Sequence, residues 1–241
     1  MFFLSTRNNE KELLDGELIE QETLAQNFRD LRRINHFFGG TTVVLQLLER
    51  VLRTTTHQYT SLRLLDVATG VADIPLAILH WAKHNHLSIE ITAIDYSAEV
   101  LELAHAAVVD VPIQLVRTDA RRLPFADNSF ELVTCSLALH HFTDSEAVQV
   151  LRELARVARL AFIVNDLRRS LSGYLAAQAY ATLLTRNRYT RNDAPLSVRR
   201  AFTTTELRGL AARANIGPVQ IERQIGWRLS LLGGPAAIHR S

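Results

Sequence analysis

The sequence predicts an α/β protein: a doubly wound, mostly parallel sheet with helices on both faces, an antiparallel C-terminal edge strand and an N-terminal helical cap. Three observations carry this reading. From residue 62 to residue 165, short aliphatic runs alternate with helix-patterned stretches of about 12 residues, the rhythm of right-handed strand–helix–strand crossovers. A length of 241 residues with 47% apolar residues suits one such domain with additions and supplies a sizeable core. The rhythm then breaks near the C-terminus, where two strand patterns lie close enough to pair.

In chain order, Leu24, Phe28, Leu31, Ile34 and Phe38 recur at helical steps, and Gly39-Gly40 supplies a stop. Thr41-Thr42 are expected to cap a second helix through "VVLQLLERVLR". Residues 1–60 are read as the cap and 61–241 as the main domain. The run at 62–67 is the first strand, followed by a helix over about 72–84. "IEITAID" is the second strand, and Ser97 caps the helix "AEVLELAHAAVV". "IQLVRTD" and "FELVTCSLAL" are the third and fourth strands, "SEAVQVLRELARVAR" a helix and "LAFIVND" the fifth strand. Residues 167–202 read as an inserted arginine-containing helix and loop. Thr203–Thr205 with Glu206 then open a further helix. "VQIERQI" and "WRLSLLGG" form a hairpin with Gly226 in its turn.

Composition excludes several classes. The single cysteine, Cys135, cannot build a disulfide framework within the chain, so a reducing cytoplasm is expected. The opening "MFFLSTRNNEKELLDGE" turns polar too soon for a signal-peptide core, and no segment is long and apolar enough to span a bilayer. Net charge is +2, yet residues 152–241 hold fifteen arginines, no lysine and five acidic residues. Such asymmetry marks either an anionic partner or solvated helix faces, and the spacing of the arginines over the whole stretch favours the faces.

The chemistry concentrates at strand ends, where open α/β sheets bind ligands. Asp66 and Gly70 follow the first strand, Asp95 the second, Asp119 the third, and Ser136 to His141 the fourth. One strand-end aspartate is commonly structural, but three in succession, each ending an aliphatic run, point to a ligand. Asp95 lies 29 residues beyond Asp66, one strand–helix–strand step, so their strands are neighbours. A carboxylate there accepts both hydroxyls of a ribose. The turn "ATGVAD" has one glycine where a dinucleotide fingerprint has three, and no phosphate-binding lysine follows. A ribose-bearing ligand without phosphate fits best.

With "LLDVATGVAD", "ITAIDYSAEVLELA", "DARRLPFADNSFELVTCSLALHHF" and "LAFIVND" in this order, the chain resembles the class I S-adenosylmethionine-dependent methyltransferases over about residues 60–165. "DVATG" and "LPFADNSFELV" are most similar to the ubiquinone/menaquinone biosynthesis methyltransferases and their small-molecule relatives. The resemblance implies a Rossmann-like sheet, S-adenosyl-L-methionine as cofactor and a small-molecule acceptor. It implies that Asp66 orders the first loop and that Ala68, Thr69 and Gly70 approach the methionine. Asp95 then takes the ribose, Tyr96 packs on the adenine, and Asp119 with the Ala120 amide reads the adenine edge. Ser136 lies beneath the methionine amine. Two stretches depart from the pattern: Ala72 replaces the usual third glycine, and "RVARLAF" replaces a glycine-containing turn before the fifth strand.

His140 or His141 is the candidate general base for a hydroxyl acceptor, the two not being separable from sequence; the same pair also occurs where no base is needed. Asn165, Arg168 and Arg169 at the end of the fifth strand, and Asn35 on the N-terminal helix, are candidate acceptor contacts, against a reading as surface charge and core. His80 and His84 have metal-ligand spacing but no accompanying carboxylate or cysteine, so no metal is expected there. Two rivals remain. A nucleic-acid methyltransferase fits the basic C-terminal half but lacks both an Asn/Asp-Pro-Pro-aromatic motif and a Cys-Pro nucleophile. A non-catalytic cofactor-binding protein of the same fold is opposed by the three aspartates together.

Overall fold

The computed structural model describes residues 4–16, 21–53 and 61–237. Seven strands form one sheet: β1 (Leu62–Val67), β2 (Ile89–Asp95), β3 (Ile113–Arg117), β4 (Phe130–Ser136), β5 (Ala158–Leu167), β6 (Val219–Gln224) and β7 (Arg228–Gly233). Their order is β3-β2-β1-β4-β5-β7-β6. β1 to β5 pair in parallel, and β7 runs antiparallel to both β5 and β6. The expected hairpin is present, with Gly226 at φ +66° and Trp227 at φ +57° in its turn. Its second strand inserts beside β5, leaving β6 as the edge. The winding reverses between β1 and β4, which opens the crevice where ligands of such sheets bind.

Alternation along the strands divides the core. Leu64, Ile91, Leu132, Ile163 and Leu232 face α2 (Gly40–Arg53), α3 (Asp73–His84) and α4 (Ala98–Val108). Leu65, Ile94, Val133, Phe162, Val164 and Leu231 face α5 (Asp144–Val157) and α8 (Thr204–Ala214). A side-chain period of two sets this partition, and strands buried on both faces read as continuous aliphatic runs for the same reason. Leu24 and Phe28 of α1 (Gln21–Phe37) pack instead on Val71 and Val100, above the carboxyl ends of the strands.

Local signals act mostly as the sequence reads. Ser97 accepts from the Val100 amide, and Thr203 forms a capping box with Glu206. Three details differ. α2 begins at Gly40, directly after Gly39 at φ +72°, so Thr41 and Thr42 sit inside its first turn rather than capping it. Residues 167–202 hold two helices, α6 (Leu171–Leu183) and α7 (Arg188–Arg200), with Asn187 capping the second. α5 passes into β5 with no intervening residue, and the register shift between Phe130 and Leu132 absorbs the missing turn.

Gly233 lies opposite Phe162 on β5, and a Cβ there would collide with the Phe162 ring. A Cβ on Gly209, inside α8, would meet nothing within 4 Å among the described residues. Urea unfolding should show Gly233→Ala destabilising by about 1–3 kcal/mol and Gly209→Ala stabilising by about 0.5–1 kcal/mol.

Candidate active site

One cavity of about 1120 Å³ opens over the carboxyl ends of β1 to β4. Its floor includes Asp66, Ala68, Thr69, Gly70, Asp95, Tyr96, Asp119, Ala120, Ser136, His140 and His141. Its roof comes from residues 7–16 and from α1, α6 and α7. That volume exceeds the usual range for a single small ligand, about 300–1,000 Å³.

The β1–α3 turn folds tightly through three left-handed residues: Ala68 at φ +56°, Gly70 at φ +56° and Ala72 at φ +60°. A Cβ on Gly70 would press on the Phe28 ring at 3.3 Å, so the turn and α1 meet across a bare backbone. Ala72 occupies a conformation that costs an L-residue roughly 1–2 kcal/mol, offset by complete burial of its methyl group. Asp66 accepts from the Thr134 hydroxyl at 2.5 Å, a bond that ties β1 to β4 at the reversal. Burial lifts the Asp66 carboxyl to about 7, with Asp73 and Asp95 adding to the effect against the Thr134 bond.

Asp95 Oδ2 accepts from the Gly70 amide at 3.0 Å and Oδ1 from Ser97 at 3.1 Å. Burial raises its pKa in spite of these bonds. The strand-end carboxylate thus holds the turn as well as facing the cavity. The Tyr96 ring is 68% exposed, with Arg117 at 6.0 Å from its centroid, leaving a face free to stack. Asp119 pairs with Arg121 at 2.7 Å, and Arg121 also reaches Glu146. The Arg121 hydrogen bonds hold Asp119 below the ordinary carboxylate range. Ser136 Oγ is buried and has no partner among the described residues.

The two histidines occupy a 3-10 turn at Leu139–His141 and differ sharply. His140 Nδ1 lies 2.6 Å from Asp166 Oδ1, and its backbone amide donates to Asp166 Oδ2 at 2.9 Å. Burial pushes the Asp166 carboxyl up, but the attraction of the His140 ring and its hydrogen bonds outweigh it and leave the group low. His140 Nε2 stands 3.6 Å from Glu12 Oε1, outside hydrogen-bond range. His141 Nδ1 bonds Asp15 Oδ1 at 2.9 Å, and its Nε2 lies 3.9 Å from Glu12 Oε2. Burial opposes the charged form of His141, yet Glu12 and Asp15 prevail and lift its pKa to about 9. His141 is therefore an imidazolium at neutral pH with no lone pair to accept a proton. The two histidines are thereby distinguished: Glu12 and Asp15 favour the charged form of His141, and Asp166 anchors the ring of His140.

Glu12 and Asp15 reach the histidines because residues 7–16 are strapped across the site. Ser197 donates to Glu12 Oε1 at 2.8 Å, and the Leu13 and Leu14 amides donate to Asp193 at 2.8 and 3.0 Å. Arg200 donates to the carbonyls of His140, His141 and Glu10 and pairs with Asp15 at 3.3 Å. Arg7 donates to the carbonyls of His140 and Phe142 at 2.7 and 2.6 Å. Glu12, His140 and His141 also bring metal-type donor atoms within 4.8 Å of one another.

Comparison with known proteins agrees with this geometry. Residues 65–160 match a family model described as a methyltransferase domain. Over that stretch the chain is similar to the class I S-adenosylmethionine-dependent methyltransferases. It is 30% identical over 138 residues to the demethylmenaquinone methyltransferase of Thermotoga maritima, covering 57% of this chain and 55% of that one. It is 35% identical over 101 residues to the ubiquinone/menaquinone biosynthesis C-methyltransferase UbiE of Geotalea daltonii, covering 40% and 41%. The chain thus spans about half the length of these relatives or less. The fold also matches two crystal structures. One is the plantazolicin methyltransferase BpumL in complex with a desmethyl analog and SAH (TM-score 0.66, 12% identity, covering 89% of this chain and 90% of that one). The other is a SAM-dependent methyltransferase from Aquifex aeolicus (TM-score 0.50, 14% identity, covering 76% and 88%). The donor set suits an S-adenosylmethionine-type ligand: a carboxylate facing the cavity, a bare turn and an unpartnered hydroxyl.

Three expected acceptor contacts lie away from the cavity. Asn165 is fully buried and donates to the Gly40 carbonyl at 3.1 Å, locking β5 to α2. Arg169 turns to Leu4, Ala201 and Glu206. Arg168 packs beside Arg223, and burial with that neighbouring charge depresses its pKa. None of these three side chains lines the cavity. Asn35 does line the cavity, but its amide is committed to Asp73 at 3.0 Å and Arg228 at 2.8 Å. His84 Nδ1 lies 3.0 Å from the His80 carbonyl on the exposed side of α3. Cys135 is buried within β4, and burial raises its thiol well above the ordinary value. Among the described residues, no helix is long and apolar enough to cross a membrane.

Because the His141 pKa of about 9 exceeds its ordinary 6.5, the folded chain binds that proton more tightly than the unfolded one. The resulting stabilisation is complete below pH 6.5 and fades as the pH rises through 9. Urea midpoints of the wild type should fall across that window, and His141→Gln should flatten the decline.

Proposed function

We propose that this chain transfers a methyl group from S-adenosylmethionine to a small-molecule acceptor: a phenol, a quinol-like compound or another secondary-metabolite hydroxyl or carbon. The observation that carries the reading is one continuous cavity holding the Asp95–Gly70 turn at one end and His140, anchored by Asp166, at the other. The relatives named for menaquinone and ubiquinone biosynthesis support a quinol-like acceptor. A flat, apolar acceptor also suits the walls contributed by Phe28, Leu31, Phe38 and Trp227. In this reading residues 1–60 and the insertion at 167–202 cover the acceptor, and residues 61–241 form the transferring domain.

When bound, the cofactor supplies an electrophilic methyl group on a sulfonium. Asp95 accepts the ribose hydroxyls, Tyr96 stacks on the adenine, and Asp119 with the Ala120 amide takes its edge. Asp66 keeps the turn in place, and Ser136 faces the methionine amine. For in-line transfer, alignment in a closed cavity contributes most of the rate. Asp166 accepts the Nδ1 proton of His140, which fixes the tautomer and leaves Nε2 to take a proton from an acceptor hydroxyl. His141, paired with Asp15 and facing Glu12, steadies the turn. A second reading is favoured by the convergence of Glu12 and both Nε2 atoms: a divalent ion held there would ionise the hydroxyl in place of His140. Turnover abolished by a chelator and restored by zinc would favour the ion.

Isothermal titration should show micromolar binding of S-adenosylhomocysteine, roughly −8 kcal/mol. Asp95→Ala should weaken it by about 1.5–3 kcal/mol through lost charge-assisted hydrogen bonds. Unchanged affinity would remove the ribose role. With a hydroxyl acceptor, His140→Ala should lose about 10²–10⁴ in turnover with cofactor affinity intact, and the wild-type rate should fall toward acid. A loss below about tenfold would mean that proximity alone drives transfer.

A further inference from the structure

Arg228, the first residue of β7, is 0% exposed and is the largest fully buried side chain among the described residues. Its guanidinium has five N–H donors. Nη2 donates to Asn35 Oδ1 at 2.8 Å and Nε to the Phe38 carbonyl at 3.4 Å, while Nη1 is buried without a partner. Among the described residues no carboxylate forms an ion pair with it; Asp166 and Asp73 act only across a distance. Burial depresses the group to about 10, which still leaves it charged at neutral pH. A buried charge that is neither paired nor fully hydrogen-bonded is costly. The protein keeps this one beside its cavity, of which Arg228 is a lining residue.

Its surroundings hold the guanidinium ready. Asn35 accepts from Arg228 with its oxygen and donates to Asp73 with its nitrogen, so one amide links the arginine to the first residue of α3. The strand order runs β2-β1-β4-β5-β7. A ligand that keeps its ribose at Asp95 on β2 and runs past Gly70 after β1 and Ser136 on β4 follows the strand order in the direction of β5 and β7, in the same cavity that Arg228 lines. In S-adenosylmethionine the far end carries the α-amino and α-carboxylate groups.

We propose that Arg228 binds the α-carboxylate of the cofactor through Nη1, with Asn35 as the positioning residue. The proposal rests on the reading that the cavity binds S-adenosylmethionine. The guanidinium gains the counter-charge it otherwise lacks, and the carboxylate gains charge-assisted hydrogen bonds in a site shielded from water. The same arginine then distinguishes the intact cofactor from nucleosides that lack the amino-acid tail.

The test compares S-adenosylhomocysteine with its decarboxylated analogue, which keeps the nucleoside, sulfur and amine, by isothermal titration on the full chain. The wild type should prefer S-adenosylhomocysteine by at least tenfold. Arg228→Gln should erase most of that preference while leaving the analogue's affinity within about twofold, and Arg228→Lys should restore part of it. Equal affinity of the wild type for both ligands overturns the proposal, as does an equal loss for both in Arg228→Gln. If the wild type binds neither, the cofactor reading itself has failed. Thermal melting and near-ultraviolet circular dichroism check each variant's fold. Should Arg228→Gln not fold, Asn35→Ala, which frees the guanidinium, provides a second variant: a reduced preference for the carboxylate supports the assignment, and an unchanged preference opposes it.

Discussion

The histidine end of the cavity depends on the guanidinium of Arg200. It is 5% exposed, yet it reaches the carbonyls of His140 and His141 at 3.2 and 2.7 Å, the Glu10 carbonyl and the Asp15 carboxylate. Hydrogen bonds from a charged donor contribute about 1.5–3 kcal/mol each, and no neutral side chain could satisfy carbonyls on three sides at once. Through them α7, the 3-10 turn and the N-terminal strap are held as one unit. The placement of the histidine turn and the reach of Glu12 and Asp15 follow from that arrangement. Arg7 repeats the device from the strap side, with its guanidinium stacked 4.1 Å from the Phe202 ring.

The cofactor end is built differently. It uses the reversal of winding between β1 and β4, the Asp66–Thr134 bond across it and a turn kept narrow by left-handed backbone. These are short-range features of consecutive segments. The histidine end is assembled from segments far apart in the chain. One half of the cavity therefore follows from strand geometry, and the other from long-range polar bonds.

That division explains what was legible in the sequence. The parallel strands show because aliphatic runs have one pattern and helices another, and Asp66, Asp95 and Asp119 stand out because each ends such a run. α7 was hidden by Pro195 in its interior and by its polar composition. Glu12, Asp15, Asp193 and Arg200 carried no signal, because nothing local distinguishes a carboxylate that will meet a partner 185 residues away. Arginine enrichment beyond residue 152 was visible, but its meaning was not. Arg156, Arg169, Arg200 and Arg228 point inward to carbonyls and side-chain oxygens. Much of the apparent basic character is internal scaffolding, because a guanidinium offers five donors where a lysine offers three.

The strap across α7 also sets an order of events during synthesis. Asp15 emerges first but must wait for Arg200, 185 residues later, before its native bond can form. At about 5–20 residues per second that is a delay on the order of 10–40 s. Meanwhile the sheet from β1 to β5 can grow by local crossovers, while Glu12 and Asp15 stay solvated and Leu13 and Leu14 lack their mate. The acidic start of the chain is then an advantage, since charge keeps a waiting segment from sticking to half-built strands. Closure of the strap over the cavity therefore waits until α7 has been made.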